Sequence, residues 1–355
     1  MRHIRVQYLD QDENDSHYRV VNEKVIMKRL RILLMLAGFA LVLAACGTAS
    51  SNADDVTESP NAEGLTVVVT TTVWGDIVSE VAGDSASVEV LYPVGADPHD
   101  YQLSSSQVAS MQEADLVVVN GLQLEVGILD VIESIEADGA NILEVAPLLD
   151  PIAFGAGGGE CEPDAGHNHD EEGDRAHEEG SCDPHIWMDP LRVATAVELI
   201  AGELAALDPS VDWTANAMAY AHELRTLDEE VIAMLEIVSQ DRRKMVTNHE
   251  ALGYFADRYS FEVVGVVIPG GSTLADPSSA ELAELVEIMT EENIDVIFGE
   301  TVDPSALGDA IAAEVGTDVV VVELFTGSLG GPGSGAETYI DMVRTNAVLI
   351  SEALS

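Results

Sequence analysis

From Leu65 onward the chain alternates short apolar runs with stretches whose apolar residues recur every three or four positions. Leu65-Thr-Val-Val-Val-Thr-Thr71 is a buried-strand run, and Trp74, Ile77, Val78 and Val81 then form one helical face that stops at Gly83. The same alternation gives strands over 86–91, 115–120 and 141–146, a helix from a cap at Ser104–Ser106 to Glu113, and another over 125–137. Strands separated by helices at this spacing predict a parallel sheet with right-handed crossovers.

From Pro190 the pattern turns helical. Ala194, Val197, Ala201 and Leu204 form one stripe, interrupted at Asp208-Pro209, and Leu224, Leu227, Val231, Met234 and Val238 form a second. The first half's pattern then returns. Strands are expected over 244–247, 261–268, 295–299 and 318–324, and helices at Leu252–Ala256 and over 278–291, 305–315 and 336–353. The expected fold is therefore α/β, with two parallel-sheet lobes at 65–208 and 244–355 joined by a long, rigid spine helix at 209–243.

Two segments depart from this rhythm. The stretch from Asp150 to Cys182 is glycine-rich and then charged, with His167, His169 and His177 among many carboxylates, and its acidic, histidine-rich part (155–182) has too little apolar surface to order itself. Before Leu65, Met27-Lys28-Arg29-Leu30-Arg31 is a basic n-region, and Ile32 to Ala45 is an apolar core too short for a mature membrane span. That core ends Leu43-Ala44-Ala45-Cys46-Gly47, which resembles the bacterial lipobox, so residues 27–45 are expected to be a signal peptide and Cys46 to carry lipid. Residues 1–26 are polar where a signal peptide starts basic, and we read them as a start-site artefact, with Met27 as the true start. Residues 46–64 read as a flexible tether.

Composition adds bounds. A chain of 355 residues can hold two ordinary domains. A formal net charge of -49 argues against a phosphate-seeking surface, so nucleic acid is not an expected partner. Such acidity either raises the local concentration of cations or is a solvated, salt-adapted surface, and the sequence leaves both open.

The nine histidines sort by position. His3 and His17 fall in the leader, His222 falls mid-helix, and three fall in the acidic loop. His99, His185 and His249 remain, each after a predicted strand or opening a predicted helix, where α/β folds place ligands. His185 lies between Asp183-Pro184 and Asp189-Pro190. Each proline fixes its own φ and disfavours the helical region for the residue before it, which holds His185 on a stiff segment at the mouth of a helix. Three imidazoles with an oxygen donor form a common zinc set, and the same set suits manganese or iron as carboxylate content rises.

Pro98-His99-Asp100-Tyr101, Asp183-Pro184-His185-Ile-Trp187-Met-Asp189-Pro190, Asn248-His249-Glu250-Ala-Leu-Gly-Tyr254-Phe255, Asp276-Pro277-Ser278 and Phe298-Gly299-Glu300 occur in one order, followed by the Tyr339 to Asn346 pattern. Together they resemble the zinc/manganese substrate-binding lipoproteins of bacterial ABC importers, over a span from about Leu65 to the C-terminus. The resemblance implies a metal site in the interlobe cleft, with His99 and His185 from the first lobe and His249 from the second. It also implies delivery of the ion to an importer permease, a lipid anchor on Cys46 and a monomeric chain. Many members carry an acidic fourth ligand where this sequence has Gly327. Coordination is then completed by water, Glu300 or Glu323, and the shortage of carboxylate tilts the ion towards Zn²⁺ over Mn²⁺ or Fe²⁺. His167, His169 and His177 are an auxiliary loop site or a solvated decoration. Cys161 and Cys182 are expected to form a disulfide in an oxidising compartment, with a thiolate metal pair as the alternative.

Two other functions use the same features. A metallohydrolase needs metal-activated water, but His249-Glu250 reaches Gly253 where a His-Glu-x-x-His helix needs histidine. A surface metal buffer or adhesin is equally compatible with a lipid anchor. The expected role is non-enzymatic.

Overall fold

The computed structural model describes residues 64–155, 161, 182–275, 277–302, 306–315 and 319–355. The leader, the lipobox with Cys46, and the loop histidines 167, 169 and 177 lie outside them. Among the described residues no helix is long and apolar enough to cross a membrane.

The first sheet contains β1 (Leu65–Val69), β2 (Ala86–Val90), β3 (Leu116–Val119) and β4 (Ile142–Glu144), all parallel in the order β2-β1-β3-β4. Helix α1 (Thr72–Ala82) starts where the Thr71 hydroxyl accepts the Trp74 N–H, and it ends at Gly83, whose positive φ of 53° suits a residue without Cβ. Its predicted face, Trp74, Ile77, Val78 and Val81, is fully buried. Helices α2 (Ser105–Glu113) and α3 (Leu129–Ala137) make the remaining crossovers, with a capping box of Ser104 and Gln107 opening α2.

Helices α4 (Pro190–Leu207) and α5 (Thr214–Leu235) pack on one another between the sheets in sequence. Within the expected spine over 209–243 the α-helix thus runs from Thr214 to Leu235, with a separate 3-10 turn at Gln240–Arg242. Apolar spacing overshoots because Val238 is buried from a turn, its N–H bonded to the Leu235 carbonyl, and not from a continuing helix.

The second sheet repeats the first. Strands β5 (Lys244–Thr247), β6 (Glu262–Val266), β7 (Val296–Glu300) and β8 (Val320–Leu324) are parallel in the order β6-β5-β7-β8. Helices α6 (Gly253–Tyr259), α7 (Ser279–Glu291) and α8 (Ala306–Val315) link them, and α9 (Tyr339–Leu354) closes the described chain. Each sheet has its own small outer cluster, around Met111 and Ile132 in one half and around Leu285 and Met289 in the other. The main core is shared. It runs without interruption from Val67 and Trp74 through α4 and α5 to Tyr254, Phe298 and Tyr339.

In both sheets the order in which strands are added switches sides between the two central, parallel strands, which opens a crevice at their C-terminal ends. In the second sheet that crevice falls between β5 and β7, whose ends are followed or formed by His249 and Glu300.

Candidate metal centre

His249 follows β5. The Asn248 N–H donates to the Phe298 carbonyl, and the Thr247 hydroxyl donates to the His249 carbonyl at 2.7 Å, so its backbone continues the sheet before turning away. Its Nδ1 lies 2.5 Å from Glu300 Oε1, and Glu300 Oε2 accepts the Thr326 hydroxyl at 2.7 Å.

His185 is gripped from both halves. The Pro184 carbonyl accepts the Asn120 amide at 3.0 Å, and the Asp183 carbonyl accepts the Tyr254 hydroxyl at 2.7 Å. Asp183 Oδ1 takes both the His185 backbone N–H at 2.9 Å and its Nδ1 at 2.8 Å. The turn Ile186–Met188 follows, and Asp189 caps α4 through the Leu191 N–H with Pro190 in the first turn, where a missing N–H costs nothing. Trp187 donates its indole N–H to the Thr326 carbonyl at 2.8 Å. His99 sits on the loop beyond β2, where its N–H donates to Asp97 Oδ1 at 2.9 Å.

These three histidines are brought together. His185 Nε2 lies 3.3 Å from His99 Nε2 and 3.1 Å from His249 Nε2, and each residue is 1 % exposed. Among the described residues this is the cluster whose donor atoms could hold a metal ion. A tetrahedral ion with bonds of about 2.0–2.1 Å has ligand-to-ligand edges of about 3.3 Å, close to the spacings found. A carboxylate on Nδ1 fixes the Nε2 lone pair of His185 and of His249 towards the centre and makes each nitrogen a stronger donor. Asp183 and Glu300 also place two carboxylates behind the imidazoles, which suits a divalent ion in a water-poor site. Burial disfavours a charged His249, but the charge and hydrogen bond of Glu300, helped by Asp97 and Asp183, outweigh it and raise its pKa. Burial likewise opposes ionisation of Glu300, and His249 and Thr326 overcome it, so its pKa falls.

The other fourth-ligand candidates are placed elsewhere. Glu300 spends one oxygen on His249 and the other on Thr326. Glu323 is exposed on β8, paired in register with Gly299. Gly327 is no empty slot, since a Cβ there would lie 2.9 Å from Pro98 Cδ, the residue before His99. Cys161 and Cys182 have sulfurs 2.06 Å apart and Cα atoms 5.2 Å apart. His222 is exposed on α5. Sequence reasoning missed Asp183 as the partner of His185 and passed over Asp97. The signal was available, because Asp-Pro-His occurs at 97–99 and again at 183–185.

Two four-stranded parallel sheets meeting at three converging imidazoles define a two-lobed α/β protein whose cleft could hold a metal ion. The family described as "Zinc-uptake complex component A periplasmic" (ZnuA) matches residues 67–353, and the chain belongs to it. The manganese-binding lipoprotein MntA of Halalkalibacterium halodurans is 29% identical over 331 residues, covering 93% of this chain and 100% of its own. The zinc-binding lipoprotein AdcA of Streptococcus pneumoniae is 32% identical over 323 residues, which is 89% of this chain and 59% of AdcA. The solved periplasmic zinc-binding protein TroA of Treponema pallidum superposes with a TM-score of 0.69 at 28% identity, over 82% of this chain and 99% of that one. A manganese-bound periplasmic metal-binding protein mutant from Candidatus Liberibacter asiaticus gives 0.68 at 25% identity, over 82% and 100%.

Proposed function

We propose that the chain is the extracytoplasmic receptor of an ABC importer. It captures one Zn²⁺ ion at His99, His185 and His249, with water as the fourth ligand, and passes it to the membrane permease without chemical change to the ion. The observation that carries this reading is the convergence of the three Nε2 atoms at 3.1–3.3 Å, with Asp183 and Glu300 behind two of them. A nitrogen-rich set without a carboxylate ligand favours zinc over manganese. Manganese is the second reading, supported by the printed names of MntA and of the manganese-bound structure. Lipidation at Cys46 holds the chain to the membrane as a monomer, and a disulfide joins Cys161 to Cys182.

Native mass spectrometry with Zn²⁺ and Mn²⁺ in competition tests the assignment. One zinc per chain is expected, and His185→Ala should lose it. Normal stoichiometry in that variant, or a manganese-loaded chain, contradicts the reading.

A further inference from the structure

The two Asp-Pro-His segments share a backbone turn and differ in what the carboxylate does next. In both, the histidine N–H donates to the aspartate Oδ1 at 2.9 Å. Asp183 then uses that same oxygen to pin the imidazole of its own histidine. Asp97 turns its other oxygen outward, and Oδ2 accepts the hydroxyl of Thr273 at 2.5 Å. Thr273 belongs to the opposite half, on the loop after β6, the strand whose place in its sheet matches that of β2. The same loop holds the second ligand segment, because the Gly270 carbonyl accepts the Glu250 N–H, next to His249. One side chain therefore links the segment carrying His99 to the loop backing His249.

We propose that Asp97 is a positioning residue that couples His99 to closure of the cleft, and that the Asp97–Thr273 contact sets how long the ion stays bound. The inference rests on the metal-receptor reading above. Its logic is geometric. His99 stands at the centre while its loop lies against the other half, and the hydroxyl-to-carboxylate bond joins the two in that same arrangement. Breaking it weakens the closed state alone, so release accelerates while capture by the open state does not change.

The test uses the full chain with Zn²⁺ alone and reads dissociation by stopped flow into excess chromophoric chelator. Thr273→Val should keep one bound zinc and an unchanged association rate, and should release the ion roughly tenfold faster, the expected effect of losing one hydrogen bond to a charged group. Thr273→Ser, which keeps the hydroxyl, should restore the original rate. Thr273→Ala is the second hydroxyl-free variant should the valine disturb folding, and the same acceleration is expected. An unchanged dissociation rate in a zinc-loaded hydroxyl-free variant overturns the latch, as does equal acceleration in Thr273→Ser. Absence of bound zinc in the unsubstituted chain would instead overturn the reading on which the latch rests.

Discussion

The two sheets have the same strand order, yet the carboxylates near their central crevices do different work. Beyond β3, Glu125 is fully buried and accepts the Thr70 hydroxyl at 2.8 Å and the Asn120 N–H at 2.7 Å. At the end of β7, Glu300 is equally buried and accepts the Thr326 hydroxyl, but its other oxygen faces an imidazole. Burial pushes Glu125 up to about 6, while His249 and Thr326 overcome burial to pull Glu300 down. A buried acid satisfied by backbone holds a loop, whereas one satisfied by histidine shapes a ligand. Near the crevice end of matching strands, a buried carboxylate thus serves structure in one half and, on our reading, metal binding in the other.

The sharpest way to break this contrast is to delete the ligand. His249→Ala should lower zinc affinity more than about 100-fold, exceeding the range seen for supporting partners, and competition with a chelator of known affinity checks it. Glu300→Ala should cost about 10–100-fold in affinity with one ion still bound at saturation. Glu125→Ala should do the reverse, leaving affinity unchanged while lowering unfolding free energy by about 1–3 kcal/mol through stranded N–H and O–H donors, measured by urea denaturation. Equal effects of the two glutamates on affinity would erase the distinction.

Acidity separates the halves by sign. The raised pKa of His249 means that protons compete for the ligand from above the ordinary imidazole range, so zinc affinity should fall steadily between pH 8 and pH 5. Full affinity at pH 5 would contradict the site. Glu125 acts oppositely on stability. Its folded pKa of about 6 exceeds the unfolded value near 4.5, so its contribution is complete below pH 4.5 and is lost as pH rises through 6. Relative to Glu125→Gln, the unsubstituted chain should therefore gain about 1.5 kcal/mol on going from pH 7 to pH 4.5. The smallest effect concerns Gly327. Gly327→Ala should cost about 1 kcal/mol of stability by crowding Pro98, and Gly327→Asp should weaken zinc binding, since the added group meets Pro98 before it reaches an ion.

Much of this was legible along the chain. β5 was readable to the residue because a buried run ends abruptly at Asn248-His249. The three histidines stood out because each follows a break in the apolar pattern. The spine was overextended because Val238 keeps helical spacing while sitting in a turn. The fourth ligand was left open along the chain for two reasons. The exposure of Glu323 depends on which face of β8 is covered, and the fate of Gly327 depends on Pro98, more than 200 positions away in sequence. Carboxylate partners of imidazoles arise only when distant segments meet. Asp183 was an exception, and like Asp97 it was hidden in a repeated tripeptide whose two copies look alike and act differently.

The central claim is a centre of three imidazoles and one water, and zinc K-edge X-ray absorption of the singly loaded protein tests it most directly. The account predicts four nitrogen or oxygen scatterers at about 2.0–2.1 Å with the multiple-scattering signature of three imidazoles. A sulfur shell near 2.3 Å, or fewer than three imidazoles, would contradict it.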